Sequence, residues 1–179
     1  MRRINIFVVI GIIAAFIFHA VSGSMRLFGA DAGSPQISAW ICITLVAIHV
    51  IITAVLTAKT LISIKKSGKS YFRENLLFWA RRISGFALLI PLVMHVMIFS
   101  GTGDEAYRLV FFHSGRLISQ ILMVVALGLH ILTNVHPLLI GLGVKHHGVL
   151  SADSLFVLTV FLLFCCGAFC VYYLRWMAF

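Results

Sequence analysis

Residues 4–21 read INIFVVIGIIAAFIFHAV, a run that is apolar apart from Asn5 and His19. A helix needs about 20 such residues to cross the hydrocarbon core of a bilayer. Four further apolar runs follow along the chain. Together they predict helices over residues 4–23, 37–62, 78–99, 115–142 and 155–175. The predicted fold class is an all-α integral membrane protein with five transmembrane helices.

The composition excludes several other classes of protein. Of the 179 residues, 61% are hydrophobic and only 11% are charged, whereas about a quarter are charged in soluble domains. A soluble enzyme, a disordered chain and a small secreted scaffold are therefore excluded. The cysteines have no C-x-x-C spacing and lie in apolar runs, so we interpret them as packing residues; they are Cys42, Cys165, Cys166 and Cys170.

The distribution of cations predicts the orientation of the chain. With the N-terminus inside, the outer segments hold only four of the 14 Lys and Arg residues, namely Arg26, Arg108, Arg116 and Arg175. This bias predicts a cytoplasmic N-terminus and, after five crossings, an outer C-terminus. The net charge of +9 is then a signal of topology, and no nucleic-acid partner is expected.

The organisation predicted for residues 1–179 is a single membrane domain. No A-x-A-like cleavage site follows the first run, so it is expected to remain as a mature helix. Because the connections are short, sequential helices should be antiparallel neighbours, and the first four should form an up-down bundle. No soluble domain is evident, which indicates a protein that acts with partners.

Four histidines lie deep in predicted spans, one in each of the first four helices: His19, His49, His95 and His130. A single buried histidine is more often a hydrogen-bonded core residue, but ionisable groups at this depth are costly and are functional candidates. His19 and His95 lie nearer the outer face, and His49 and His130 lie deeper. Each pair falls on diagonal helices of the bundle, so two imidazoles would face each other at each level.

Opposed imidazoles suit the two axial positions of a haem iron. The histidines therefore predict two haems b, one held by His19 and His95 and the other by His49 and His130. The chain has no C-x-x-C-H motif, which argues against covalent attachment of c-type haem.

Polar side chains on the same helices are candidate contacts for haem propionates or a quinone headgroup. They are Arg81, Arg82, Ser84, Arg116 and Ser119. At 100° per residue, Arg81 and Ser84 share the face of His95 on the third helix. Arg116 and Ser119 share the face of His130 on the fourth helix. On the second helix, Ser38 shares the face of His49. The alternative for the arginines is that they are interfacial anchors whose heads reach the lipid headgroups.

The segments SYFR at residues 70–73 and FWARRISG at residues 78–85, followed by His95, carry a family resemblance. They resemble the single-chain, five-helix dihaem cytochrome b anchor of succinate dehydrogenases and fumarate reductases. That family shows a similar S-Y-F-R segment and a Q-R-[IV]-[ST]-G-like motif ten residues before a ligand histidine. Arg81 stands where the family has its glutamine. Weaker similarity, including GLH at residues 128–130, extends over most of the chain.

The resemblance implies that His19 and His95 bind the distal haem and that His49 and His130 bind the proximal haem. The proximal haem would face an iron–sulfur subunit, which exchanges electrons with a flavoprotein carrying FAD where succinate and fumarate interconvert. The anchor would be a non-catalytic electron-transfer subunit that reacts with a quinone. The expected quinone is menaquinone. Its place would be the cytoplasmic membrane of a bacterium or archaeon, and a homodimer of the whole complex is left open.

Three alternatives stay open from the residues alone. One is the dihaem cytochrome b of another respiratory complex, such as a hydrogenase, formate dehydrogenase or nitrate reductase. Another is a haem-free transporter whose histidines relay protons, and the third is a purely structural anchor.

Some members of the resembling family use an acidic residue near the outer end of the first helix. Here the outer acids are only Asp31, Asp104 and Glu105.

Overall fold

The computed structural model describes residues 2–30, 36–67, 76–100, 111–144 and 152–178. These ranges form five helices: α1 (Arg2–Leu27), α2 (Gln36–Ser67), α3 (Leu76–Phe99), α4 (Ser114–Gly141) and α5 (Ala152–Ala178). Each helix is long and apolar enough to cross a membrane. The described residues contain no strand. The predicted all-α membrane fold with five spans is therefore confirmed.

The helices run beyond most of the predicted spans, because hydropathy marks only the apolar part while the backbone bonds continue to a cap. At the end of α1, Gly29 has a φ of 90°. The N–H groups of Gly29 and Ala30 donate to the carbonyls of Arg26 and Met25 at 2.9 and 3.0 Å. This is a Schellman cap, in which glycine adopts the left-handed conformation and satisfies the last carbonyls. Gly143, with a φ of 85°, ends α4 in the same way.

Packing joins the helices into two antiparallel pairs, α1 with α2 and α3 with α4. The fifth helix packs against both α4 and α1, and α1 also touches α4. The α2 and α3 helices, by contrast, have no Cα atoms within 8 Å of each other among the described residues. The expectation that sequential helices are neighbours is thus wrong for this pair. A short connection joins only two helix ends, and the faces that pack are decided by the side chains.

Small residues show where the close approaches occur. A β-carbon at Gly141 would lie 2.7 Å from Cδ1 of Ile6 on α1. One at Gly128 would lie 2.9 Å from Cδ1 of Leu162 on α5. Glycine lets the backbone of α4 approach these apolar side chains, as small residues do in membrane bundles. These contacts hold α4 close to α1 and α5.

The most buried side chains lie where α4 and α5 meet. They form one cluster of Phe112, Val124, Cys165, Phe169 and Tyr172. The expectation that cysteines serve as packing residues fits Cys165, which is buried, whereas Cys170 is exposed. Large apolar side chains such as Phe7 and Met97 are both 73% exposed, which is the arrangement expected for helices that face lipid.

Candidate functional site

His19 and His95 face each other across the interior of the bundle. Their ring centroids lie 6.2 Å apart and their planes are at 88°. The helices that carry them, α1 and α3, have no Cα atoms within 8 Å of each other among the described residues. The two side chains therefore span the distance between diagonal helices, and the structure brings these two predicted site residues together.

A chain of hydrogen bonds fixes the His95 imidazole. Its Nδ1 lies 2.7 Å from Oε1 of Gln120, which is fully buried. Nε2 of Gln120 donates to Oγ of Ser119 at 3.0 Å, and that hydroxyl donates to the carbonyl of Arg116 at 2.7 Å. Since the amide nitrogen is used as a donor, Oε1 is the acceptor and Nδ1 of His95 carries the proton. Nε2 of His95 is then the nitrogen with the free electron pair.

Aromatic rings complete the surroundings of His95. Its ring centroid lies 5.1 Å from that of Phe99 and 6.2 Å from that of Phe169 on α5. Phe99 and Phe169 also contact each other, at 6.3 Å. This wall shields one side of the imidazole, so α5 takes part in shaping the site although it carries none of the four histidines.

The second pair of histidines is held by side chains of the same kind. Nδ1 of His49 lies 3.0 Å from Oδ1 of Asn5 on α1. Nδ1 of His130 lies 3.1 Å from Oγ of Ser84 on α3 and 3.4 Å from Nδ2 of Asn134. His49 and His130 interact electrostatically.

A reciprocal pattern relates all four imidazoles. Each has its Nδ1 next to a polar side chain of its packed partner helix: His19 with Ser38 at 3.4 Å, His49 with Asn5, His95 with Gln120 and His130 with Ser84. Every helix of the α1–α2 and α3–α4 pairs thus supplies one histidine and one partner for the histidine opposite. A partner that accepts a hydrogen bond from Nδ1 orients the imidazole and raises the basicity of its other nitrogen.

The polar candidates from the sequence fall into three groups, which are the two serines, the pair Arg81 and Arg116, and Arg82 alone. Ser84 and Ser119 support histidines through hydrogen bonds, Ser84 directly and Ser119 through Gln120. Ser84 touches His130 although it shares the helical face of His95, and Ser38 likewise touches His19 instead of His49. The reason is that helical phase predicts which face of its own helix a residue lies on. It does not predict which residue of the adjacent helix lies at the same height.

The arginines differ from one another in their contacts. Nε of Arg81 donates to the carbonyl of Leu77 on its own helix at 2.9 Å. Arg116 bonds the carbonyl of Phe111 and lies over that ring, with Cζ 5.9 Å from the centroid. Both arrangements agree with interfacial anchoring. These two side chains make no contact with a histidine ring among the described residues.

Arg82 differs from these two arginines because one of its nitrogen atoms is buried. Its Nε is buried and has no hydrogen-bond partner among the described residues. Its Cζ lies 5.0 Å from the centroid of Phe78, and it is within electrostatic range of His49 and His130. A buried guanidinium nitrogen in a helix long enough to span a membrane needs an acceptor group. The position suits a carboxylate beside the deeper histidine pair.

Sequence reasoning missed Asn5 and Gln120 as site residues. Both lie inside apolar helices, where an amide is costly unless it is hydrogen-bonded. An amide side chain within an apolar span could therefore have identified both residues as candidates, because such an amide needs a hydrogen-bond partner on another helix. Which partner it has could be read only from the packed structure.

The separation of His19 and His95 can be compared with the spacing of two imidazole ligands on one metal ion. The described residues contain no group of three or more His, Cys, Asp or Glu side chains that could hold a metal ion, but haem iron needs only axial ligands from the protein. Two imidazoles on opposite sides of one metal, with metal–nitrogen distances of about 2 Å, have centroids roughly 6 Å apart. The His19–His95 centroid separation of 6.2 Å is of this size, and the proton on Nδ1 of His95 leaves Nε2 with a free electron pair.

Comparison of the chain with family models, with curated proteins and with solved structures finds no match. Function is therefore inferred from the site residues together with the resemblance of the segments quoted above. Of those residues, SYFR at 70–73 and the acidic Asp31, Asp104 and Glu105 lie outside the described ranges.

Proposed function

We propose that this chain is the cytochrome b membrane anchor of a succinate dehydrogenase or fumarate reductase complex. It carries electrons between an iron–sulfur subunit and membrane quinone through two bis-histidine haems b. The observation that supports this proposal is the reciprocal hydrogen bonding of four intramembrane histidines, in which each Nδ1 meets a polar side chain of the packed partner helix.

The residues of the chain have defined tasks in this function. A bound haem supplies one-electron chemistry, with a potential set by its ligands, their hydrogen bonds and burial. His19 and His95 bind the distal iron, and His49 and His130 bind the proximal one. Polar partners hold the four rings in one orientation, and the wall of Phe99 and Phe169 beside His95 excludes water. The protein thus orients the haem ligands, excludes water from the site and sets the reduction potential of the haem.

Arg82 has a separate task at the proximal site. Its buried Nε, which is without a hydrogen-bond partner in the described ranges, suits a haem propionate beside His49 and His130. A charge-assisted hydrogen bond to a carboxylate would satisfy the guanidinium. The two groups pair well because both are planar and can form two parallel hydrogen bonds. Arg81 and Arg116 remain anchors at the membrane surface in this proposal.

The partners follow from the resemblance and from charge. An iron–sulfur subunit would dock at the basic end of the bundle, where Lys59, Lys65 and Lys66 are exposed, and would connect it to a flavoprotein with FAD. Menaquinone is the proposed quinone, and the cytoplasmic membrane of a bacterium or archaeon is the proposed location. Succinate and fumarate chemistry takes place on the partner chains.

Haem content and partner identity test the proposal together. The native complex would be purified through a tag on this chain, and the pyridine haemochrome spectrum would be measured. We expect two haems b per chain and two co-purifying subunits, one of which carries FAD. Absence of haem overturns the proposal and favours the proton-relay transporter, and one haem shows that one histidine pair is wrong. Two haems with a hydrogenase, formate dehydrogenase or nitrate reductase partner would identify the other class of dihaem cytochrome b.

A further inference from the structure

We infer that Gln120 is a positioning residue that holds His95 in its metal-binding orientation and makes it the more electron-rich ligand of the distal haem. This inference rests on the proposed function. It concerns a side chain of α4 that no sequence motif singles out, and it follows from the hydrogen-bond chain Arg116 carbonyl–Ser119–Gln120–His95.

The direction of each bond in this chain is determined. Ser119 donates to the Arg116 carbonyl, which can only accept, so its oxygen is left to accept from Nε2 of Gln120. The amide oxygen of Gln120 then faces Nδ1 of His95 at 2.7 Å. An amide oxygen can only accept, and the imidazole is therefore the donor. The result is a single tautomer of His95 with Nε2 free for iron.

The other histidines lack one or more features of this arrangement. Ser38 lies 3.4 Å from Nδ1 of His19, and a hydroxyl there can donate or accept. His130 has a serine at 3.1 Å and also a donor, Nδ2 of Asn134, at 3.4 Å. His49 meets an amide oxygen, at 3.0 Å. His95 has the shortest of these bonds and the only partner among them that is fully buried.

Burial increases the influence of Gln120. A hydrogen bond in a region without water is electrostatically stronger than the same bond at a surface. Donation from Nδ1 of an imidazole increases the basicity of its other nitrogen. A more basic ligand stabilises ferric over ferrous iron, so the Gln120 bond lowers the reduction potential of the haem that His95 binds.

The test compares Gln120→Leu and Gln120→Glu in the complete complex by redox titration of the two haems. Leucine removes the acceptor, so we expect a higher midpoint potential for the distal haem and haem affinity there weaker by about 10- to 100-fold. A carboxylate is a stronger acceptor than an amide oxygen, so in Gln120→Glu the distal potential should fall below the wild-type value. The proximal potential should not change in either variant.

Asn5→Leu is the matched control, because Asn5 supports His49 in the same manner. It should raise the potential of the proximal haem and leave the distal haem unchanged. Loss of only the distal haem in Gln120→Leu would also support the inference, and if that variant does not assemble, Gln120→Glu decides. Unchanged potentials in Gln120→Leu, or a distal potential that does not fall in Gln120→Glu, would overturn it. Either result, obtained with two haems present, leaves the proposed function intact, whereas a haem-free wild type removes the function itself.

Discussion

Gly85 of α3 lies directly against the imidazole of His130 on α4. A β-carbon at Gly85 would be 3.4 Å from Cε1 and 3.7 Å from Nδ1 of this ring. The preceding residue, Ser84, meets the same Nδ1 at 3.1 Å. Two consecutive residues thus orient one histidine, Ser84 through a hydrogen bond and Gly85 through the space it leaves.

Substitution of Gly85 should act on the proximal haem according to side-chain size. Alanine makes an ordinary contact with the ring, so Gly85→Ala should retain two haems per chain. Gly85→Leu would push the His130 ring out of place, and haem content should fall to one. Pyridine haemochrome analysis of the purified complex measures this. Two haems in Gly85→Leu would show that the contact does not constrain His130.

Removal of His95 should eliminate the distal haem alone. We expect His95→Leu to retain one haem, because His49 and His130 are held by different partners, Asn5 and Ser84. The matched control is His136→Leu, since His136 is an exposed histidine of α4 and should be dispensable for haem binding. Haem spectra of both variants check the result. Loss of both haems, or of neither, in His95→Leu would contradict the pairing.

Arg82 should matter for the proximal haem, and its neighbour Arg81 should not. Arg82→Gln removes the charge that would pair with a propionate, so we expect weaker retention of one haem when the purified complex is washed in detergent. Arg82→Lys, which keeps the charge, should lose less haem. Arg81→Gln is the control, because Arg81 bonds only its own helix among the described residues. Equal haem loss in the Arg81 and Arg82 variants would argue against the propionate contact.

Gly29 and Gly23 should respond to alanine in opposite directions. At Gly29, φ is positive and a β-carbon would collide with the guanidinium of Arg175, so Gly29→Ala should destabilise by ~1–2 kcal/mol or more. Gly23 lies within α1 with nothing within 4 Å of a β-carbon. Alanine there should stabilise the helix by ~0.5–1 kcal/mol. Thermal unfolding in detergent compares the two, and equal midpoints would contradict the cap.

The orientation of the chain can be tested with fusion reporters. Alkaline phosphatase is active only outside the cytoplasm, so a fusion after Phe179 should be active. A fusion within the basic segment after Ser67 should be inactive, because the Lys and Arg bias predicts that this segment is cytoplasmic. The reverse pattern of activities would mean that the chain is inserted with its N-terminus outside.

The pairing of His19 with His95 could be predicted from the sequence, but the hydrogen-bond partners of the four histidines could not. Counting residues from the ends of the apolar runs is enough to match His19 with His95, because the rise of a helix is constant. Ser84 and Ser38 meet histidines other than those whose helical face they share. Partners on another helix depend on how the two helices slide and rotate against each other, which the sequence of one helix does not contain.

By itself, the sequence determined the fold class, the number of membrane spans and the placement of one histidine in each of the first four helices. These features depend on local hydropathy and residue order, which a membrane makes decisive because it forces every backbone polar group into a helix. Only the tertiary structure decided that α2 and α3 stand apart, that α5 supports His95 through Phe169, and that Gln120 and Asn5 hold histidines. Those relationships arise from packing between helices, where one glycine or one buried amide selects which faces meet.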